Sequence, residues 1–233
     1  MSGLLEVLVL HAADARRAVE GGADRLHLVG APEVDGPSPP PDVVAEVCRA
    51  VDVPVRVTLR LREGFGTDGG EVVRLRGLAS AYRDAGAEGI VMGFLNGHGD
   101  IDLQVLGALL EDGDWPWTCS RAVDQALDTD RSWRRLLQLP RLDQVLTAGS
   151  ARGVEEGLDE LIARARREPE AAALVMAGGD LHPDHLPWLG RAGVRAFHID
   201  LAARPQGSWK AYVDTAQVRS WRILVDDVTR PRG

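Results

Sequence analysis

The chain has 233 residues, 45 % of them hydrophobic, enough for one sizeable core and near the lower end of the roughly 200 to 400 residues of an α/β barrel. Its formal net charge of −8 argues against a nucleic-acid backbone or an anionic membrane as the main partner, since both need a clustered positive surface. The two cysteines, Cys48 and Cys119, match no zinc-site spacing and suggest no disulfide framework.

Residues 4–9 form an apolar run with no basic stretch before it and Glu6 inside it, which reads as a first strand rather than a signal peptide. No stretch approaches the length of a membrane span, so the expected location is the cytoplasm. Further strands are predicted at 25–29, 53–61, 89–94, 115–119, 142–147, 172–177 and 195–199. Helical periods fall between them at 12–20, 42–50, 71–84, 101–111, 130–139, 151–167 and 182–191, and a closing helix lies within 212–227. Near-regular alternation implies parallel strands joined by right-handed crossovers, at about one compact unit per ~30 residues. The predicted fold is a single (β/α)8 TIM-type barrel over residues 1–233. An open doubly wound sheet is the rival, but no Gly-x-Gly-x-x-Gly follows the first strand.

Gly21-Gly22-Ala23, Ala85-Gly86-Ala87 and Ala192-Gly193-Val194 each end a helix and open a strand, as if one αβ turn were reused. The segment 30–41 carries five prolines and reads as extended and stiff. The segment 62–70 is rich in glycine and reads as mobile. Both follow strands, which puts both on the rim where barrels carry chemistry.

In the third strand Arg56, Thr58, Arg60 and Arg62 alternate with apolar residues, and the arginines are expected to face the lumen. Buried arginine is costly without a partner, and Glu6 and Asp124 are the carboxylates expected to supply one. Arg25 and His27 share one face of the second strand. The fifth ends in Thr118-Cys119-Ser120-Arg121, the sixth in Thr147, and the eighth holds His198. For Arg56, low on its strand, a lumen ion pair that only holds the barrel shut is the favoured role. Arg60, Arg62 and Arg121, near the rim, suit anion binding. His198 is the best candidate general acid or base, because imidazole titrates near neutral pH. His182 and His185, at the start of a helix, read as surface residues. Cys119 and Met176 are the only soft donors expected near the lumen, a weak metal signal; packing against apolar neighbours is the better reading of both.

Leu4-Leu5-Glu6-Val7, followed by Gly22-Ala23-Asp24-Arg25 and a strand, resembles the opening of the CutC family of copper homeostasis proteins. The resemblance continues in order through Arg60-x-Arg62, Val91-x-Gly93-x-Leu95, Gly99-x-Ile101-Asp102, Arg121-Ala122-x-Asp124, Val145-Leu146-Thr147-x-Gly149, Met176-Ala177-Gly178 and Tyr212-Val213-Asp214. It implies a TIM-barrel-like fold, cytoplasmic location, self-association as a homodimer or larger homo-oligomer, and a role in copper handling. Copper is the cofactor it implies, although the local residues do not support it. The family's acidic residue and cysteine on strand two are His27 and Val29 here. Its Phe-His pair before the strand-five arginine is Cys119-Ser120, its serine after Thr147 is Ala148, and its serines after the strand-eight histidine are Ile199 and Asp200.

Fewer soft donors predict that this chain binds copper poorly, while the arginines, Glu6, Thr147 and His198 persist. A copper-homeostasis protein is the first expectation. The second is an enzyme acting on a small phosphorylated or carboxylated metabolite. There Arg60, Arg62, Arg121 and Arg25 would hold the anion, His198, His27 and Glu6 would handle protons, and Asp124 and Thr147 would support them. A binding module without chemistry is the third. Trp209 and Trp221 offer aromatic anchors for an interface.

Overall fold

A computed structural model describes residues 3–30, 37–111, 113–167 and 169–230. β1 (Leu4–Val9) leads to α1 (Ala12–Gly21), β2 (Arg25–Leu28) to α2 (Pro41–Ala50), β3 (Val55–Thr58) to α3 (Gly69–Asp84), and β4 (Gly89–Met92) to α4 (Leu103–Leu110). β5 (Trp117–Cys119) passes through a 3-10 turn (Arg121–Gln125) into α5 (Thr129–Leu136). β6 (Leu142–Thr147) leads to α6 (Val154–Arg167) and the short α7 (Pro169–Leu174), β7 (Val175–Ala177) to α8 (Leu186–Ala192), and β8 (Ala196–Ile199) to α9 (Thr215–Thr229). Each strand pairs in parallel with its sequence neighbours and β8 returns to β1, so the fold is a closed (β/α)8 barrel rather than an open sheet.

Strand alternation divides the side chains between two environments. Leu5, Val7, Leu26, Leu28, Val55, Val57 and Phe197 pack outward beneath the helices, where each fully buried aliphatic contributes about 1.5–3 kcal/mol. Glu6, Arg25, His27, Arg56, Thr58 and His198 occupy the alternate positions and are buried in the lumen. The closing seam sets Leu4 opposite Ala196 and Glu6 opposite His198. That register brings the first and last polar lumen residues together.

Local chemistry fixes the element ends. Asp68, Asp102, Asp128 and Asp214 each precede a helix and accept a first-turn backbone N–H, satisfying a donor the helix itself cannot. Gly22, Gly86 and Gly193 take φ of 101°, 96° and 104° before β2, β4 and β8, the reused left-handed turn read from the sequence.

Several boundaries differ from the predicted ones. β3 stops at Thr58, because the Arg60 N–H leaves the ladder to bond Ser38 Oγ at 2.8 Å. Residues 172–174 close α7 instead of opening β7, in keeping with the helix preference of consecutive alanines. His185 is buried rather than at the surface: its Nδ1 accepts from the His182 N–H at 3.0 Å, and its Nε2 lies 2.8 Å from Glu155. The extended reading of 30–41 falls partly on 31–36, outside the described residues, and Pro41 already belongs to α2. No helix among the described residues is long and apolar enough to cross a membrane.

Candidate functional site

A cavity of about 180 Å³ opens at the C-terminal ends of the strands, where barrel enzymes place their chemistry. His27, Thr58, Leu146 and His198 line it from the strands, and Arg60, Phe65, Arg121, Gly179 and Trp209 from the segments above.

Glu6 anchors the lumen. It is fully buried on β1, with the Arg25 Nε donating to Oε2 at 2.5 Å and the His198 Nδ1 2.9 Å from Oε1. Burial alone would raise its pKa, but the Arg25 guanidinium and the His198 bond hold the carboxyl well below the usual carboxylate range. An ionised Glu6 requires the His198 proton on Nδ1 and leaves Nε2 as the ring's basic nitrogen. The His27 Nε2 lies 2.7 Å from Thr58 Oγ1, and its ring meets that of His198 edge-on at 5.3 Å between centroids. Burial, with help from His198, Arg25 and Arg60, drives the His27 pKa down to about 3 against the pull of Glu6, so this imidazole is neutral.

The predicted arginines separate into groups. Arg25 belongs to Glu6, with Asp143 at 3.7 Å. Arg56 takes no part in the mouth: it pairs with Glu88 at 2.6 Å and with Asp143 at the opposite end of the lumen, the ion pair expected of it, with partners other than Glu6 and Asp124. Arg60 is buried at the cavity wall, its guanidinium 5.0 Å above the Phe65 ring. Arg62 is not brought into the site: it is half exposed and is held away by Asp68 at 2.5 Å and Glu71 at 2.9 Å.

Arg121 forms a second cluster with Asp124 and Thr147. Asp124 accepts from Arg121 Nε at 3.0 Å, from Thr147 Oγ1 at 2.5 Å and from the Ala148 N–H at 2.8 Å. Burial pushes the Asp124 pKa up, and these three donors work against that shift. Arg121 Nη2 also donates to the carbonyls of Ser150 and Ala151, tying the loop after β6 to the turn after β5. Its guanidinium lies so close to Gly179 that a Cβ there would stand 2.6 Å from Nη1, and φ of 97° makes glycine doubly fitting. Arg121 thus reaches the cavity edge but is held mainly by the protein.

The soft donors do not meet. Cys119 alternates with lumen-side Thr118 and packs outward in the helical core, its Sγ donating to the Ser120 carbonyl at 3.4 Å. Met176 faces the lumen, with its sulfur 4.0 Å from Arg25 Nη2. The expectation of Cys119 as a lumen donor is therefore corrected, both residues pack against apolar neighbours as the preferred reading had it, and Cu(I), which favours thiolate and thioether ligands, has no matched pair among the described residues.

Glu6, His27 and His198 do offer three ligand atoms within 4.8 Å of one another. Both Glu6 oxygens are already engaged, however, and Arg25 and Arg60 flank the group. At an effective dielectric of about 20, two unit charges about 5 Å apart repel by roughly 3 kcal/mol, twice that for a dication. The residues present do not fit copper, and the same charges favour an anion.

Sequence reading assigned no role in the site to Thr58 or Phe65, and placed Trp209 at an interface rather than at the mouth. Thr58 shared the polar face of β3 and could have been found; the loop residues carry no periodic signal. The buried pair between Asp14 and Arg204, joined at 2.7 Å, was also missed. Arg204 lies 5.3 Å from the Trp209 ring and positions it at the mouth. Trp209 and Trp221, read as interface anchors, instead turn toward their own chain, and Trp188 is the tryptophan that stands exposed, at 52 %.

Comparison with known proteins gives a consistent result. The model of the CutC family matches residues 3–203. A family protein CutC from Klebsiella pneumoniae (strain 342) is 32 % identical over 244 residues, covering 99 % of this chain and 96 % of its own. One from Caulobacter vibrioides (strain NA1000 / CB15N) is 32 % identical over 198 residues, covering 84 % and 80 %. A crystal structure from Streptococcus agalactiae, named as a copper homeostasis protein CutC, superposes with a TM-score of 0.76 at 21 % identity over 84 % of this chain and 97 % of its own, a likeness of fold.

Proposed function

The chain belongs to the CutC family, and from that premise we propose that it serves copper homeostasis through a small anionic ligand held at the barrel mouth, not through a copper ion coordinated there. The copper role is taken from the name of the Streptococcus agalactiae protein. The observation that carries the anion reading is the buried Arg60 beside a neutral His27 in a cavity above the charge-balanced Glu6–Arg25 pair. A guanidinium fork suits a phosphate or carboxylate, and each charge-assisted hydrogen bond sheltered from water is worth about 1.5–3 kcal/mol. Action in the cytoplasm and self-association belong to the same proposal.

A second reading, an enzyme acting on a small phosphorylated or carboxylated metabolite, is favoured by the Glu6–His198 bond, because a carboxylate that orients an imidazole is an arrangement used for proton transfer. Both readings share one test. Inorganic phosphate or a dicarboxylate should raise the melting temperature, Arg60→Gln should remove the gain, and Arg62→Gln should preserve it. Flat thermal shifts across the anion panel, or a tight stoichiometric Cu(I) complex held in the lumen, would overturn the proposal.

A further inference from the structure

Resting on the anion-pocket reading above, we propose that this site removes a proton from a small anionic carbonyl compound, with His198 as the general base and Glu6 as its positioning residue. The ligand class is a carbonyl with an adjacent C–H and a carboxylate or phosphate group.

The geometry divides the labour. Glu6 holds the His198 Nδ1 at 2.9 Å and leaves Nε2 without a protein partner among the described residues, on a ring that lines the cavity. His27 supplies the second element. Its Nδ1 is buried with no hydrogen-bond partner among the described residues, so the tautomer with the proton on Nε2 avoids burying an unsatisfied N–H. That Nε2–H then donates to Thr58 Oγ1, and the Thr58 hydroxyl is left to donate its own proton into the cavity. A neutral imidazole beside a carboxylate-backed base pushes two titratable groups toward opposite roles, the pattern by which acid and base assignments are recognised. Arg60 meets the anionic group.

Among the described residues, no side chain in the lumen is set up as a covalent nucleophile. Lys210, the chain's sole lysine, is exposed, so no Schiff base can form inside the barrel. Cys119 lies behind the wall, where burial pushes its thiol up. Ser120 Oγ reaches the cavity edge but has no base bonded to it among the described contacts.

The step balances without a co-reactant. His198 Nε2 takes the proton from the carbon next to the carbonyl, the C–H electron pair forms the C=C bond, and the carbonyl pair moves onto oxygen, which Thr58 hydrogen-bonds. The imidazolium, paired with Glu6, returns the proton to the same carbon. The net change is exchange.

The test follows deuterium wash-in by proton NMR, using the full chain in D2O with pyruvate as the carboxylate arm and dihydroxyacetone phosphate as the phosphate arm. One arm should lose its C–H signal at least about a hundredfold faster than buffer, the usual scale of general-base catalysis. His198→Gln should return the rate to background while keeping the thermal shift that inorganic phosphate produces. Glu6→Gln, if it folds, should lower the rate at saturation with little change in half-saturation; if it does not fold, His198→Gln carries the test alone. Exchange that persists in His198→Gln overturns the assignment. No exchange in either arm with the phosphate shift retained overturns proton transfer and leaves the anion reading standing. Neither exchange nor shift overturns both.

Discussion

Replacing Asp14 by alanine tests how the mouth is braced. Asp14 is fully buried in α1, and its carboxylate accepts from Arg204 Nη2 at 2.7 Å, from the Val213 N–H at 2.9 Å and from the Leu10 N–H at 3.2 Å. Arg204 is 2 % exposed and keeps only its bond to the Ala211 carbonyl and its place against Trp209 once the carboxylate is gone. Removing one partner of a buried ion pair leaves an uncompensated charge and costs about 3–5 kcal/mol. In a chain of this size each kcal/mol lowers the melting temperature by about 2–4 °C, so the expected drop is about 6–20 °C. Urea unfolding followed by circular dichroism should give the free energy, and the share of the tryptophan fluorescence removed by Trp209→Phe should show whether the segment after β8 has loosened in the still-folded protein. A loss below about 1 kcal/mol with unchanged m-value would refute the view that this pair braces the mouth.

Other outcomes follow from the same contacts. Burial lowers the His27 pKa from 6.5 to about 3, so its contribution to stability is complete above pH 6.5 and is lost as pH falls toward 3, with a limiting slope of about 1.4 kcal/mol per pH unit. His27→Gln should flatten stability against pH by about one proton across that window, and equal slopes in the two proteins would contradict the assignment. Cys119 is fully buried and its thiol is pushed up, so thiol reagents read by mass spectrometry should label Cys48 first and Cys119 only on unfolding. Labelling of Cys119 in the folded protein at the rate of a free thiol would count against its outward packing. Cys119→Ser should leave Cu(I) affinity unchanged; a stoichiometric complex abolished by that substitution would reverse the conclusion on soft donors.

How much the sequence disclosed depends on how regular each signal was. Glu6, Arg25, His27 and His198 interrupt strands that are otherwise apolar, and a closed barrel must turn such residues inward. Their convergence was legible; their bonding was not, since it depends on the register across the closing seam. Arg62 misled because the alternation of β3 continues in the letters beyond Thr58, while the backbone leaves the ladder for Ser38. Cys119 misled for a related reason. A strand as short as β5, with a register shift against β6 between Trp117 and Thr118, gives little help in deciding which parity faces inward. The Asp14–Arg204 pair spans 190 positions and leaves no local pattern at all.

The seam between β1 and β8 has a kinetic meaning. The Glu6–His198 bond joins residues 192 positions apart, so the dyad does not exist until the ring closes. During synthesis β1 emerges first and must wait, edge unpaired and Glu6 uncompensated from that side, for the last strand to leave the ribosome. Contacts of such long range form slowly, because the entropy of loop closure is lost before the contact returns anything. A chain caught with seven strands in place would keep most of its helix signal and its ion pair between Arg25 and Glu6, yet lack the Glu6–His198 bond. The imidazole resonance of His198 is therefore a direct reporter of barrel closure, separable from secondary structure, and its appearance would time the last event in folding.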